Sequence, residues 1–120
     1  KAGAARVVAA DIAAFSLSAV ALNAAINGLS VETTHDDLLA SPPQPFDVVL
    51  VGDLFYERQL ADRVLAYCDA AKAAGALVLV GDPQRNYFPR DRFTCACRYE
   101  VPVTRELEDA EIKRTAVWRV

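Results

Sequence analysis

Apolar and polar positions along this chain follow two rhythms, one of strands and one of helices. Val48-Val49-Leu50-Val51 is a continuous apolar run bounded by polar residues, the pattern of a strand buried on both faces. It ends in Gly52-Asp53, which places a carboxylate at the carboxyl end of a core strand. A second run, Ala76-Leu77-Val78-Leu79-Val80, ends in Gly81-Asp82-Pro83. Residues 6–10, centred on Val7 and Val8, predict a strand that stops at Asp11. Residues 29–33 predict another, with β-branched Val31 and Thr33. Residues 95–103 and 112–120 alternate and predict two more, the last with Ala116, Trp118 and Val120 opposite Thr115, Val117 and Arg119.

The helical rhythm appears twice. Ile12, Phe15, Ala19, Leu22 and Ile26 recur at spacings of three and four, which is one helix face. Leu17, Val20, Ala21 and Ala24 make the rest of that helix apolar, so it is predicted to be largely buried, with Asn27-Gly28 ending it. Residues 56–74 carry an amphipathic helix, with Leu60, Val64, Cys68 and Ala71 opposite Arg58, Asp62, Arg63, Asp69 and Lys72, and with Gly75 as terminator. Residues 1–5 read as the end of a helix stopped by Gly3. Ser41-Pro42-Pro43-Gln44-Pro45 is a rigid connector. Gln84 to Arg92 is a loop with a helical turn after Pro89, and residues 104–109 form a polar connector. The order β-α-β, β-α-β, β-β predicts an α/β three-layer sandwich, mostly parallel, with an antiparallel pair at its C-terminal end.

Composition narrows the classes. A chain of 120 residues is one domain or less, and 53% apolar residues can fill a core. A net charge of −3 without a basic stripe disfavours nucleic acid as the main partner. The apolar runs are far shorter than the roughly 20 residues of a membrane span. Lys1 leads into alanines without a secretory cleavage pattern. Three cysteines, Cys68, Cys95 and Cys97, give no disulfide framework. Cys95-Ala96-Cys97 lacks the further ligands of a metal site, so no metal is expected, and strand alternation would put both thiols on one face.

The candidate chemistry sits at strand ends, where ligands bind in open α/β sheets. Asp11 either accepts hydrogen bonds from ribose hydroxyls or caps a helix. Asp36 and Asp37 are either solvated loop carboxylates or ligands. Asp53 combines a strand-end position with two aromatics, Phe55 and Tyr56, and a second acid, Glu57. It suits a cleft or the cap of the helix that follows, and both roles are compatible. Phe55 and Tyr56 either fill core or line a site. His35, the single histidine, has no serine or cysteine partner in a nucleophile pattern and reads as a loop residue.

Three stretches carry a resemblance: Val51-Gly52-Asp53-Leu54-Phe55-Tyr56-Glu57; Gly81-Asp82-Pro83-Gln84-Arg85-Asn86-Tyr87-Phe88-Pro89; and Val101-Pro102-Val103-Thr104-Arg105-Glu106-Leu107-Glu108. With strand-end Asp11, Asp37 and Asp53, they resemble class I, seven-β-strand, S-adenosylmethionine-dependent methyltransferases. More narrowly they resemble bacterial relatives of the electron transfer flavoprotein beta subunit lysine methyltransferase. The acid-x-x-Tyr pattern at Asp53 to Tyr56 and the Asp-Pro loop are the more specific marks.

The resemblance implies a Rossmann-like fold with S-adenosylmethionine as cofactor. Asp11, with Ile12 beside it, would hold the ribose. Asp37, with Asp36 as second choice, would meet the adenine amino group. Asp53 and Tyr56 would frame the target lysine and the methyl group, with Phe55, Glu57, Asn86 and Tyr87 on the substrate side. The substrate would be a protein presenting a lysine, such as the electron transfer flavoprotein beta subunit or a ribosomal protein. The location would be cytoplasmic in a bacterium or the mitochondrial matrix in a eukaryote. Alternative readings are a small-molecule, nicotinamide N-methyltransferase-like enzyme and a non-catalytic α/β module that packs against a partner.

Such enzymes carry a glycine-rich loop after their first strand, and the five glycines here form no cluster. Residues 1–120 are therefore expected to be the C-terminal portion of a single methyltransferase domain. The first strand and the loop would be missing, and that strand would lie between the ones ending at Asp11 and Asp53.

Overall fold

The computed structural model describes residues 2–103 and 112–120, so the predicted connector at 104–109 lies outside the described residues. The chain divides into two compact units, Lys1–Ser41 and Pro42–Val120, and the division falls inside the proline-rich connector.

In the first unit, β1 (Val8–Ala10) and β2 (Glu32–Thr34) form a parallel pair joined through α1 (Ala14–Ile26). Arg6 and Glu32 flank that pair in an exposed ion pair, at 2.8 and 2.7 Å. Asn27 ends α1, its side-chain amide donating to the Asn23 carbonyl at 2.8 Å. Gly28 follows at φ 63, a conformation in which a side chain would be strained. Two expectations fail here. Residues 2–5 are irregular rather than the end of a helix. The apolar face of α1 is not buried: Leu17 and Ala24 are, but Phe15 is 88% exposed, and Ile12, Leu22 and Ile26 are exposed with it. Two strands of three residues each present too little sheet to cover a helix of 13.

In the second unit, β3 (Val48–Gly52), β4 (Leu77–Asp82), β5 (Thr94–Pro102) and β6 (Ile112–Arg119) form one sheet in the order β3-β4-β6-β5. β3 and β4 are parallel; β6 runs antiparallel to β4 and β5. α2 (Arg58–Ala73) crosses from β3 to β4 and buries Ala61, Val64, Cys68 and Ala71, close to the predicted stripe, with Ala61 in place of Leu60. On the sheet, Val78, Val80 and Asp82 share a buried face with Ala116 and Trp118. Phe88 completes this core, meeting Phe55 edge-on at 5.3 Å, Phe93 at 5.3 Å and Trp118 at 5.0 Å. A short 3-10 turn, Arg90–Arg92, follows Pro89 as the sequence predicts, and Arg92 ties it to Asp69 of α2 at 2.7 Å.

Two further readings are corrected. β3 is not buried on both faces: among the described residues it is an edge strand paired with β4 alone, and Leu50 is 76% exposed. Cys95 and Cys97 do not simply alternate, because a bulge between them sets Cys95 opposite Trp118 and Cys97 opposite Val117. An extra residue in one strand breaks the two-residue period. Cys68 is buried in α2, and that burial, with Asp69 adding to it, pushes its thiol up to about 11. It is a neutral core group.

Candidate functional site

In the second unit the site is built where two parallel strands stop side by side. Gly52 of β3 pairs with Gly81 of β4, so the acids that follow, Asp53 just beyond β3 and Asp82 at the last position of β4, stand side by side. Their environments then diverge. Asp53 turns out of the strand at φ 50, a left-handed conformation that aspartate tolerates better than most residues. Its N–H donates to the Gly81 carbonyl at 2.9 Å, which fixes the turn to the neighbouring strand. Its carboxylate is half exposed and accepts two hydrogen bonds from Arg85, Nε to Oδ1 and Nη2 to Oδ2, each 2.7 Å. A fork-on-fork pair of this kind is the strongest geometry open to a carboxylate and a guanidinium.

Asp82 is fully buried at the end of β4. Its Oδ1 accepts the Arg85 backbone N–H at 2.7 Å, which folds the Asp82-Pro83-Gln84-Arg85 turn back on itself. Gln84 sits in that turn at φ 70. The Asp82 Oδ2 and the Trp118 Nε1, both buried, have no hydrogen-bond partner among the described residues. Burial pushes the Asp82 carboxyl up from the ordinary range, and the Asp53 charge adds to this. The backbone N–H groups of Arg85 and Gln84 pull it back. A third tie, from the Tyr87 N–H to the Phe55 carbonyl at 3.2 Å, holds the two loops together beyond the strand ends.

This frame places the residues expected on the substrate side. Asp53 does not cap the following helix: Glu57 occupies the cap position of α2, without a side-chain hydrogen bond. Tyr56, Glu57, Asn86 and Tyr87 are exposed around the two loops, Tyr56 at 58%. Phe55 is the exception. It is fully buried against Phe88 and Phe93, so it supports the loop from inside and forms no wall facing a ligand.

In the first unit, Asp11 follows β1 and its Oδ1 accepts the Ala13 N–H at 2.8 Å. Ala13 is the cap residue of α1, so Asp11 secures the turn just before the helix without itself being the cap. It remains exposed, with exposed Ile12 beside it. Asp36 Oδ2 accepts the Thr34 hydroxyl at 2.8 Å, and Asp37 Oδ1 accepts the Leu39 N–H at 3.1 Å, capping the 3-10 turn Leu38–Ala40. Asp11, Asp36 and Asp37 are thus exposed carboxylates at the ends of β1 and β2. His35 is an exposed loop residue, as expected.

Sequence reasoning missed Asp82 and Arg85 as site residues. A signal was present. Val80-Gly81-Asp82 repeats Val51-Gly52-Asp53, and two such endings on adjacent parallel strands bring their acids together.

The sheet order, the α/β alternation and the terminal antiparallel pair define a Rossmann-like methyltransferase fold, and solved structures bear this out. The ribosomal protein L11 methylase from Lactobacillus delbrueckii subsp. bulgaricus matches 98% of this chain and 59% of its own, with a TM-score of 0.57 and 20% identity. The Pyrococcus abyssi tRNA (uracil-54, C5)-methyltransferase, in complex with S-adenosyl-L-homocysteine, matches 95% of this chain and 27% of its own, with a TM-score of 0.58 and 13% identity. At these identities the likeness is one of fold. No protein-family model matches the chain. The narrower resemblance also holds: the chain is similar to the electron transfer flavoprotein beta subunit lysine methyltransferase of Danio rerio, 30% identical over 98% of this chain. It spans about half the length of that relative, 48%.

Proposed function

We propose that the protein containing this chain is an S-adenosylmethionine-dependent protein-lysine N-methyltransferase, and that residues 1–120 supply its acceptor site and part of its cofactor site. The observation that carries this reading is Asp53. It is a half-exposed carboxylate at a strand end, held in a fixed backbone conformation and already gripping a cation. A group that binds a guanidinium there also suits a lysine ammonium. The similarity to a lysine methyltransferase across nearly the whole chain supports the same reading.

S-adenosylmethionine, when bound, supplies an electrophilic methyl group. Asp11, with Ile12 beside it, would hold the ribose, and Asp37, or Asp36 next to it, the adenine amino group. Asp53 would orient the lysine side chain, which loses a proton to water before attack. Tyr56 would border the reacting amine, and its aromatic face tolerates a cationic centre. Glu57, Asn86 and Tyr87 would contact the segment that carries the lysine. Most of the rate would come from alignment of amine and methyl group. The acceptor would be a protein such as the electron transfer flavoprotein beta subunit or a ribosomal protein.

In the full-length protein, Asp53→Ala should abolish methyl transfer and leave cofactor affinity nearly unchanged. Asp11→Ala should act on the cofactor instead, weakening its binding by roughly 1.5–3 kcal/mol, the range of a charge-assisted hydrogen bond. Calorimetry with S-adenosylmethionine and a transfer assay separate the two. Unchanged cofactor affinity with lower thermal stability in Asp11→Ala would make Asp11 a turn residue only.

A further inference from the structure

Asp53 is not held by Arg85 in passing. The guanidinium covers both carboxylate oxygens at 2.7 Å, and the two side chains are 46% and 43% exposed. The backbones beneath them are fixed. The Arg85 N–H is bound to the buried Asp82 carboxyl, the Asp53 N–H to the Gly81 carbonyl, and the Tyr87 N–H to the Phe55 carbonyl. The loops therefore do not need to part for Asp53 to become available. The exchange is one of side chains: the Arg85 guanidinium, half in solvent, gives up the carboxylate.

We propose that Arg85 is a cationic gate on Asp53: its guanidinium fills the place of an incoming ammonium and is displaced more readily by a lysine carried on a docked protein surface than by a free amine. This rests on the methyltransferase reading above and deepens it, by naming free small amines as what the site disfavours. An ammonium is a point charge and cannot match a bidentate fork atom for atom. A free amine also brings no remote contacts to offset the loss of its translational freedom. A lysine on a folded partner draws on contacts elsewhere on that surface to drive the exchange. Arg85 is thus a specificity and positioning residue, and the reacting atoms remain those of the substrate and cofactor.

The test uses the full-length protein with S-adenosylmethionine and two acceptors, Nα-acetyl-lysine amide as the small amine and the electron transfer flavoprotein beta subunit as the protein. An exposed ion pair holds back a competitor by a small factor, so Arg85→Gln should lower KM for Nα-acetyl-lysine amide about two- to fivefold. Its preference for the protein over the small amine should fall by a similar factor. Arg85→Lys, which keeps the charge and loses the fork, should fall between the two. In the wild-type protein the Arg85 Nε–H resonance, assigned by its loss in Arg85→Lys, should move as either acceptor is added. An unmoved resonance with an unmoved KM overturns the gate. So does a fall in kcat and kcat/KM together at constant KM, which would make Arg85 a permanent support for Asp53. Absence of transfer by the wild-type protein to either acceptor and to ribosomal proteins overturns the methyltransferase reading itself, and the gate with it.

Discussion

Asp53 and Asp82 follow paired glycines on adjacent strands, and their neighbours decide what each can do. Asp53 faces solvent and a guanidinium; Asp82 faces an apolar layer and two backbone N–H groups. Burial raises the Asp82 carboxyl, so the native state holds its proton more tightly than the unfolded chain does. The stability this group contributes is full below the ordinary carboxylate value of about 4 and is lost as pH rises through the higher folded value. Asp82→Asn keeps an oxygen to accept the Arg85 N–H and removes the titration. It should leave stability less dependent on pH above about 4, measured by urea unfolding across a pH series. The same slope in variant and wild type would mean that the slope comes from other groups. Asp53 was legible because a polar residue closing an apolar run stands out. Arg85 was not, since a long side chain in a loop gives no periodic signal. Its partner is 32 residues away in sequence.

At the scale of elements, period and punctuation located both α-helices and all six strands of the described residues, because each is written in local sequence. β3 was placed to within a residue and α2 to within two. What stayed hidden was which faces are covered, since burial depends on neighbours distant in sequence. β3 has the composition of a central strand and the position of an edge strand, with Val48 and Leu50 exposed on one face. α1 likewise exposes Phe15, Leu22 and Ile26, and Ile12 just before it is exposed too. We predict that these apolar faces are covered by further protein in the full-length protein. In the full-length protein, Leu50→Lys should therefore destabilise by about 2–4 kcal/mol, as expected for a charge forced into an apolar contact. A change within about 0.5 kcal/mol would mean that this face meets water in the native protein too.

The whole molecule shows the same tension. Within the described residues, β1 has only β2 as a partner and β3 only β4. Neighbouring strands must lie about 4.8 Å apart to bond, and an edge left without a partner is prone to pair with other chains. Lys1 to Val120 expressed alone should fail to give a cooperative monomeric unfolding transition with micromolar affinity for S-adenosylmethionine. A sharp thermal transition of a monomer that binds the cofactor would contradict this.

The proposal of protein-lysine methylation stands or falls on the product. The full-length protein is incubated with isotopically labelled S-adenosylmethionine and purified electron transfer flavoprotein beta subunit, and the acceptor is then digested and mapped by mass spectrometry. The predicted result is label on a lysine side-chain nitrogen, absent from the same reaction with Asp53→Ala. Label found only on a small-molecule amine, or no transfer by a folded, cofactor-binding protein to this acceptor or to ribosomal proteins, would contradict it.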